Sequence, residues 1–555
     1  MKRQRWLTRS FAVISMCLIA WALGSPALTA QTSGNSRQSF VPDRVLVSFQ
    51  PGTSATEIAA AHALAGGALA KTISGTGIHI VAVPAGTVPN AIRLYQQNPN
   101  VRFAEPNYRR SLFRPVTIEG SEPTLGIQNN FDEQWGLHNT GQSFGVTVDP
   151  LFGTLTAPAY TGVANADIDA PEAWAVPHRN AAIKIAILDS GVSCAHVDLD
   201  SKCIEQVNFV SAHDSPVEDI IGHGTHVGAI AAAETDNQTG TAGVARDASI
   251  GSMKVCYEDR TFELFGIILG VCEDADIAAG ITYAANAGYH VINMSLAGPE
   301  LSMTLQDAVN DAWGKGAVIV AAAGNDYGTT RQYPAAYGNV ISVAATDYYD
   351  NLAYFSNFSK DSDDWVSVAA PGHVILSAVP GELCGIAPDD PQGCYDWKSG
   401  TSMAAPHVSG IAALLWAQLS APTNSQVRSH IEGGAEKAGA LGQNFLAWTK
   451  YGRVNAYKAL VYTPGSGGGD TTPPVITNVG SARTQGTTFG ITWRTDEPAN
   501  SVVTFTCCGD VRSDALVTDH RVSYRGKKGV LYRYSVSSTD AAGNMAMTGP
   551  FFHQN

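Results

Sequence analysis

The chain has 555 residues, 45% of them hydrophobic and 15% charged, and a net charge of −14. That is too long for one small domain and long enough for a large core plus further units. An acidic balance without a basic patch excludes an electrostatic nucleic-acid binder, which needs clustered Lys and Arg to meet phosphates.

Residues 1–30 read as a secretory signal. Lys2, Arg3, Arg5 and Arg9 form a basic start, Phe11 to Leu23 is apolar, and Ser25-Pro26-Ala27-Leu28-Thr29-Ala30 offers small residues for cleavage. The apolar run falls short of the ~20 residues that a membrane span requires. Its removal carries the net charge from −14 to −18 and implies a secreted, extracellular protein, or a periplasmic one in transit, with no membrane attachment. Cys17 leaves with it. Eight cysteines remain, an even number that suggests disulfides in an exported chain. Local pairing would join Cys194 to Cys203, Cys256 to Cys272 and Cys384 to Cys394, while the adjacent Cys507 and Cys508 could close only an uncommon, strained ring; the connectivity stays open. No Cys-x-x-Cys occurs, which argues against a zinc framework.

Residues 31–125 precede the main unit. Val41 to Phe49 alternates like a strand, Ser54 to Ala65 reads as an Ala-rich helix, and Gly77 to Val83 as a second strand. A helix over Val88 to Gln97 and a closing run Val101 to Tyr108 complete a small α+β module. Ending in Glu105-Pro106-Asn107-Tyr108, it resembles the inhibitory propeptide ahead of secreted subtilisin-like peptidases. That resemblance implies a folding template that blocks its own enzyme until cut away, with the cut falling between Arg109 and Asn129.

Residues 126–462 alternate strand and helix, which implies an α/β fold, a mainly parallel sheet with helices on both faces. The apolar run Ile183 to Leu188 reads as a buried parallel strand ending at Asp189-Ser190-Gly191. Ligand sites of such sheets lie beyond the carboxyl ends of the strands, which is where Asp189 falls. Alone it would pass as a turn or cap aspartate. Gly222-His223-Gly224-Thr225-His226-Val227-Gly228 runs into a helix. Zinc would favour His-Glu-x-x-His, whereas here the histidines are three apart and Gly224 stands in the glutamate's place. Gly400-Thr401-Ser402-Met403-Ala404-Ala405-Pro406-His407 reads as a small-residue turn delivering Ser402 ahead of a helix over Val408 to Leu419. A helix N-terminus favours developing negative charge, although serine there is commonly only a cap.

Together the blocks at Asp189, His223 and Ser402, in that order, resemble the three signatures of the subtilase family. The resemblance implies a secreted serine endopeptidase, made as a self-processed zymogen, that hydrolyses protein or peptide substrates through an acyl-enzyme. Ser402 would be the nucleophile, His223 its general base, and Asp189 the group that orients the imidazole. Asn325, after the buried strand Val318 to Ala323, would donate to the oxyanion. Ser295, Leu296, Ala297 and Gly324 would line the extended substrate, with Gln332 at the floor of the primary pocket. No cofactor is implied for catalysis; Asp198 and Asn237 match positions of a structural calcium site, although two extra residues precede Asn237. Tyr451 to Ala456 resembles the family's closing helix. An inactive subtilase-like binder would have no need of all four polar groups. An esterase would carry Gly-x-Ser-x-Gly, where this chain has Ala404 at the last place.

Residues 463–474, rich in Gly, Pro and Thr, read as a linker. Short alternating runs at Gly490 to Arg494, Ser501 to Thr506 and Tyr532 to Ser537 follow, so residues 475–555 read as a small β-sandwich resembling a fibronectin type III module. The whole is expected to act as a monomer, inhibited within the molecule by its own propeptide.

Overall fold

Alternate residues of the central strands divide between two cores. Ile185 and Ile187 of one strand pack on one side, and Ala186 and Leu188 on the other. The period of two that sends successive side chains to opposite faces makes such a strand apolar throughout. In the computed structural model, residues 39–112, 130–148, 155–177, 182–210, 213, 215–261, 268–360, 364–384, 393–463, 474–505, 509–539 and 545–555 are described. The signal, the stretch expected to carry the maturation cut beyond Leu112, most of the linker and the Cys507/Cys508 pair lie outside the described residues.

Eight parallel strands form the main sheet. Their order is Gly452–Arg453, Val368–Pro371, Ile341–Thr346, Val318–Ala322, Val291–Met294, Lys184–Asp189, Ser249–Lys254 and Cys203–Asn208. From Lys184–Asp189 the chain runs outward to one edge and then crosses back to Val291–Met294, so Asp189 ends the strand where the winding reverses. Helices His223–Ala232 and Thr401–Gln418 pack together on one face, and Asp274–Asn286 and Met303–Gly314 pair on the other.

The helix bearing Ser402 starts seven residues before the sequence-based start at Val408. It runs over Thr401–Gln418 with Pro406 inside it. A proline at that point has no N–H for the carbonyl one turn back, at Ser402. The Ser295 hydroxyl supplies the missing donor at 2.9 Å. Likewise the expected closing helix begins only at Ala456, capped by the Asn455 side chain, because Gly452–Arg453 is taken as the edge strand of the sheet.

The module before the enzyme has an antiparallel sheet of Phe40–Phe49, His79–Ala82, Val101–Leu112 and a strand the sequence did not reveal, Ala68–Thr72. Helices Ala55–Leu64 and Val88–Gln96 complete it, and Ser54 opens the first with a full capping box. The last strand runs four residues past Tyr108.

At the other end, strands Thr477–Gln485, Thr488–Phe505, Gly509–Arg525, Leu531–Thr539 and Met545–Gln554 are antiparallel around Phe489, Ile491, Trp493, Val503 and Tyr534, a build consistent with a β-sandwich. Two runs read as separate strands are one. Thr488–Phe505 continues through Pro498 with register shifts beside Ala499, where the turn-forming residues bend the strand without ending it. Disulfides join Cys194 to Cys203 and Cys256 to Cys272. Cys394 is also disulfide-bonded, while the side chain of Cys384 lies outside the described residues.

Candidate active site

Asp189 and His223 meet in the interior. The imidazole Nδ1–H donates to Asp189 Oδ1 at 2.7 Å, both side chains being buried. In the neutral ring this places the lone pair on Nε2, which is buried and has no partner within the protein. Close approach of the two loops requires Gly224, where a Cβ would lie 2.0 Å from the Gly191 carbonyl. The loop ahead of His223 is held by Asp219. Its carboxylate accepts from the Gly222 N–H at 2.9 Å, the Thr225 N–H at 2.9 Å, the Thr225 hydroxyl at 2.6 Å and the Ser190 hydroxyl at 2.8 Å. Ser190 in turn donates to Asp189 Oδ1 by its backbone N–H at 2.7 Å and accepts from Gly224 N–H at 3.0 Å.

A second group gathers at the N-terminus of the Thr401–Gln418 helix. Ser402 Oγ donates to the Ser295 carbonyl at 3.2 Å. The amide oxygen of Asn325 accepts from both the N–H and the hydroxyl of Thr401, each at 2.9 Å, which leaves Nδ2 buried and unpartnered. A Cβ placed on Gly400 would stand 3.1 Å from that Nδ2 and 3.6 Å from the Ser402 nitrogen. Two N–H donors therefore border one small space beside the hydroxyl. Strand register brings the two groups to one sheet edge. Leu188 is paired with Met294 and Met294 with Ala321, so Asp189, Ser295 and the turn bearing Asn325 follow adjacent strand ends. Gln332 is buried, its Cγ 3.2 Å from the point a Cβ of Gly324 would occupy.

Leu296 and Ala297 are covered by the preceding module. Its last strand pairs antiparallel with them, Leu112 opposite Leu296 and Ser111 opposite Ala297. On its other side it pairs with Leu269–Glu273, Arg110 opposite Cys272. Polar anchors fix the strand. Glu105 accepts from the N–H groups of Met303 and Thr304 at 2.9 and 2.8 Å, capping the Met303–Gly314 helix. The Asn107 side chain accepts from the Ala275 N–H at 3.0 Å, in the first turn of the Asp274–Asn286 helix, and Arg110 meets Asp274.

Asp198 is buried in a loop. Its Oδ2 accepts from the N–H and hydroxyl of Thr241 at 2.8 and 3.0 Å, and the Tyr395 hydroxyl and Asn237 side chain face the carboxylate; burial pushes the carboxyl up to about 6 against these bonds. The Asn237 amide oxygen accepts from the Thr239 N–H at 3.1 Å. His226 is no ligand. Its Nε2 donates to the Ile375 and Asp396 carbonyls, and burial holds it well below its ordinary range, hence neutral. Among the described residues no cluster of three or more His, Cys, Asp or Glu side chains is placed to hold a metal.

Sequence reasoning overlooked Asp219, Ser190, Thr401 and Asp274. The only signal for Asp219 was an aspartate four positions ahead of His223, a spacing typical of turn and cap carboxylates.

Comparison with known proteins assigns both the enzyme and the module before it to families. The Subtilase family matches residues 180–452, and the Fervidolysin N-terminal prodomain family matches residues 26–107. The Thermophilic serine proteinase of Bacillus sp. (strain AK1) is 36% identical over 428 residues, covering 77% of this chain and 90% of that protein. Thermitase of Thermoactinomyces vulgaris is 43% identical over 295 residues, 53% of this chain and 94% of its own. The crystal structure of fervidolysin from Fervidobacterium pennivorans shares the fold, with a TM-score of 0.58 at 22% identity over 91% of this chain and 88% of that one. The chain thus belongs to the subtilase family, as a serine endopeptidase with an N-terminal prodomain.

Proposed function

We propose that Ser402, His223, Asp189 and Asn325 carry the hydrolysis. The observation that carries this is the buried Asp189–His223 hydrogen bond, whose outer nitrogen has no partner in the protein and is free to take a proton. Ser402 Oγ attacks the scissile carbonyl carbon as its proton passes to His223 Nε2. Asp189 keeps Nδ1 protonated and stabilises the imidazolium. Charge gathers on the carbonyl oxygen between Asn325 Nδ2 and the Ser402 N–H, which are already oriented and need no reorganisation. The C–N bond then breaks, the amine leaves with the proton from His223, and water hydrolyses the ester by the same route in reverse. The Ser402 hydroxyl rests on the Ser295 carbonyl here; such contacts commonly tighten toward the base only when substrate binds.

The prodomain acts as the intramolecular inhibitor. It already supplies the antiparallel strand that an extended peptide would add along Leu296 and Ala297. Ser402→Ala is expected to abolish peptidase activity and leave the precursor uncut, read by casein hydrolysis and by mass spectrometry of the secreted chain. Normal hydrolysis by that variant would remove Ser402 from the mechanism. The basic and apolar start at residues 1–30 supports export by a cleaved signal.

A structural calcium ion is supported by the buried Asp198 carboxylate, which the Asn237 side chain and the Tyr395 hydroxyl face. One carboxylate and one amide leave the remaining oxygens to loop carbonyls, so the ion would brace the loop and take no part in the chemistry. A chelator is expected to lower the melting temperature of the Ser402→Ala protein, and Asp198→Asn to remove that response. Identical melting with calcium and with chelator would dismiss the ion.

A further inference from the structure

Arg110 of the prodomain strand is held far more specifically than blocking a cleft requires. Its guanidinium lies against Asp274 in two parallel contacts, Nε to Oδ1 at 2.7 Å and Nη2 to Oδ2 at 2.9 Å. Nη1 donates to the carbonyls of Glu300 at 2.7 Å and Gly298 at 3.1 Å. Both charged side chains are fully buried. The wall beside them is fixed, because Arg110 pairs with Cys272, which the Cys256–Cys272 disulfide ties to the neighbouring strand. Planar donors matched to a carboxylate on one side and carbonyls on the other make a receptor for guanidinium.

Register says where along a substrate this receptor acts. Ser111 lies opposite Ala297 and Leu112 opposite Leu296. An extended peptide in the same register brings its next residue opposite Ser295, whose carbonyl holds the Ser402 hydroxyl. That residue donates the carbonyl to be attacked, and the place of Arg110 is the fourth residue counted back from the cut.

We propose that Asp274, with the Gly298 and Glu300 carbonyls, forms a subsite that selects arginine at the fourth position before the scissile bond of protein substrates. The proposal rests on Ser402 as nucleophile and on the prodomain strand following the substrate's path. Once the prodomain departs, a substrate arginine restores every contact, whereas leucine leaves the Asp274 carboxylate and the Glu300 carbonyl without the donors Arg110 gave them, the Gly298 carbonyl keeping only its bond from the Tyr333 N–H. Sites built for a hydrogen-bonding group discriminate strongly against analogues that lack it. Lysine brings charge without the fork that spans carboxylate and carbonyls.

The test uses the processed enzyme and three peptides of one sequence carrying arginine, citrulline or leucine at that position. The expected kcat/KM for arginine exceeds that for the other two by at least about tenfold. A second protein, with Arg110→Leu and Asp274→Leu together, avoids stranding one buried charge in the precursor; in it the arginine-to-leucine ratio is expected to fall to near unity. Equal rates for the three peptides in the native enzyme, or an unchanged ratio in the double variant, would overturn the subsite. Failure to cleave any of the three would instead count against the peptidase chemistry of Ser402.

Discussion

Asn325 owes its direction to Thr401. Two donors on one amide oxygen fix the side chain so that Nδ2 faces the space beside Gly400 and the Ser402 N–H, where the proposed oxyanion would form, and rotating it away would break both bonds. Asn325→Ala is therefore expected to lower kcat by about 10²–10³ with little change in KM, the size measured for this kind of donor in subtilisin itself; steady-state kinetics on a chromogenic peptide read it directly. A comparable loss in KM alone would mean that the amide merely binds substrate. Asp189, His223, Asn325 and Ser402 were singled out in the sequence because the nucleophilic catalysis proposed above calls for those side chains, and because small neighbours such as Gly224 and Gly400 marked close approach. Asp219 and Asp274 were not. A carboxylate on a loop and one at a helix start look like solvated residues until folding buries them against partners distant in the chain.

Among the elements, the strand from Val101 to Leu112 does the most. Removing the Glu105 carboxylate takes the acceptor from two backbone N–H groups and the Ser302 hydroxyl at the start of the Met303–Gly314 helix. A lost cap of this kind costs about 1–2 kcal/mol. Glu105→Ala should thus weaken the grip of the cut prodomain roughly tenfold, seen as a larger fraction of free activity at equal protein concentration. Unchanged inhibition would assign the grip to the sheet pairing alone. The sequence marked this strand only as far as Tyr108, because its continuation is defined by pairing with edges more than 150 residues away. Long-range pairing also decided Gly452–Arg453, and Pro406 concealed the start of the Ser402 helix because the compensating donor, Ser295, lies 107 residues from the carbonyl it serves. The buried parallel strands, apolar on both faces, were readable from local pattern.

Across the molecule, the prodomain contains a histidine pair, His62 buried and His79 half-buried. His62 Nδ1 meets the Tyr95 hydroxyl at 2.8 Å and its Nε2 meets His79 Nδ1 at 3.0 Å. Burial lowers the affinity of both rings for a proton, and the neighbouring ring lowers that of His62 further. Their neutral forms support the fold above the ordinary value of about 6.5; as pH falls below it, the unfolded chain gains protons that the folded module resists, and stability is lost. Amide exchange across residues 55–96 of the Ser402→Ala precursor should therefore lose protection between pH 7.5 and 5.5, and equal protection at both would refute this. While the chain is whole, a tether holds the blocking strand at an effective concentration of about millimolar or more. Once severed, the same strand is an ordinary solute that departs at a rate and to an extent set by mass action. Onset of activity is then governed by dilution as well as by bond cleavage, and a crowded preparation stays silent longer than a dispersed one.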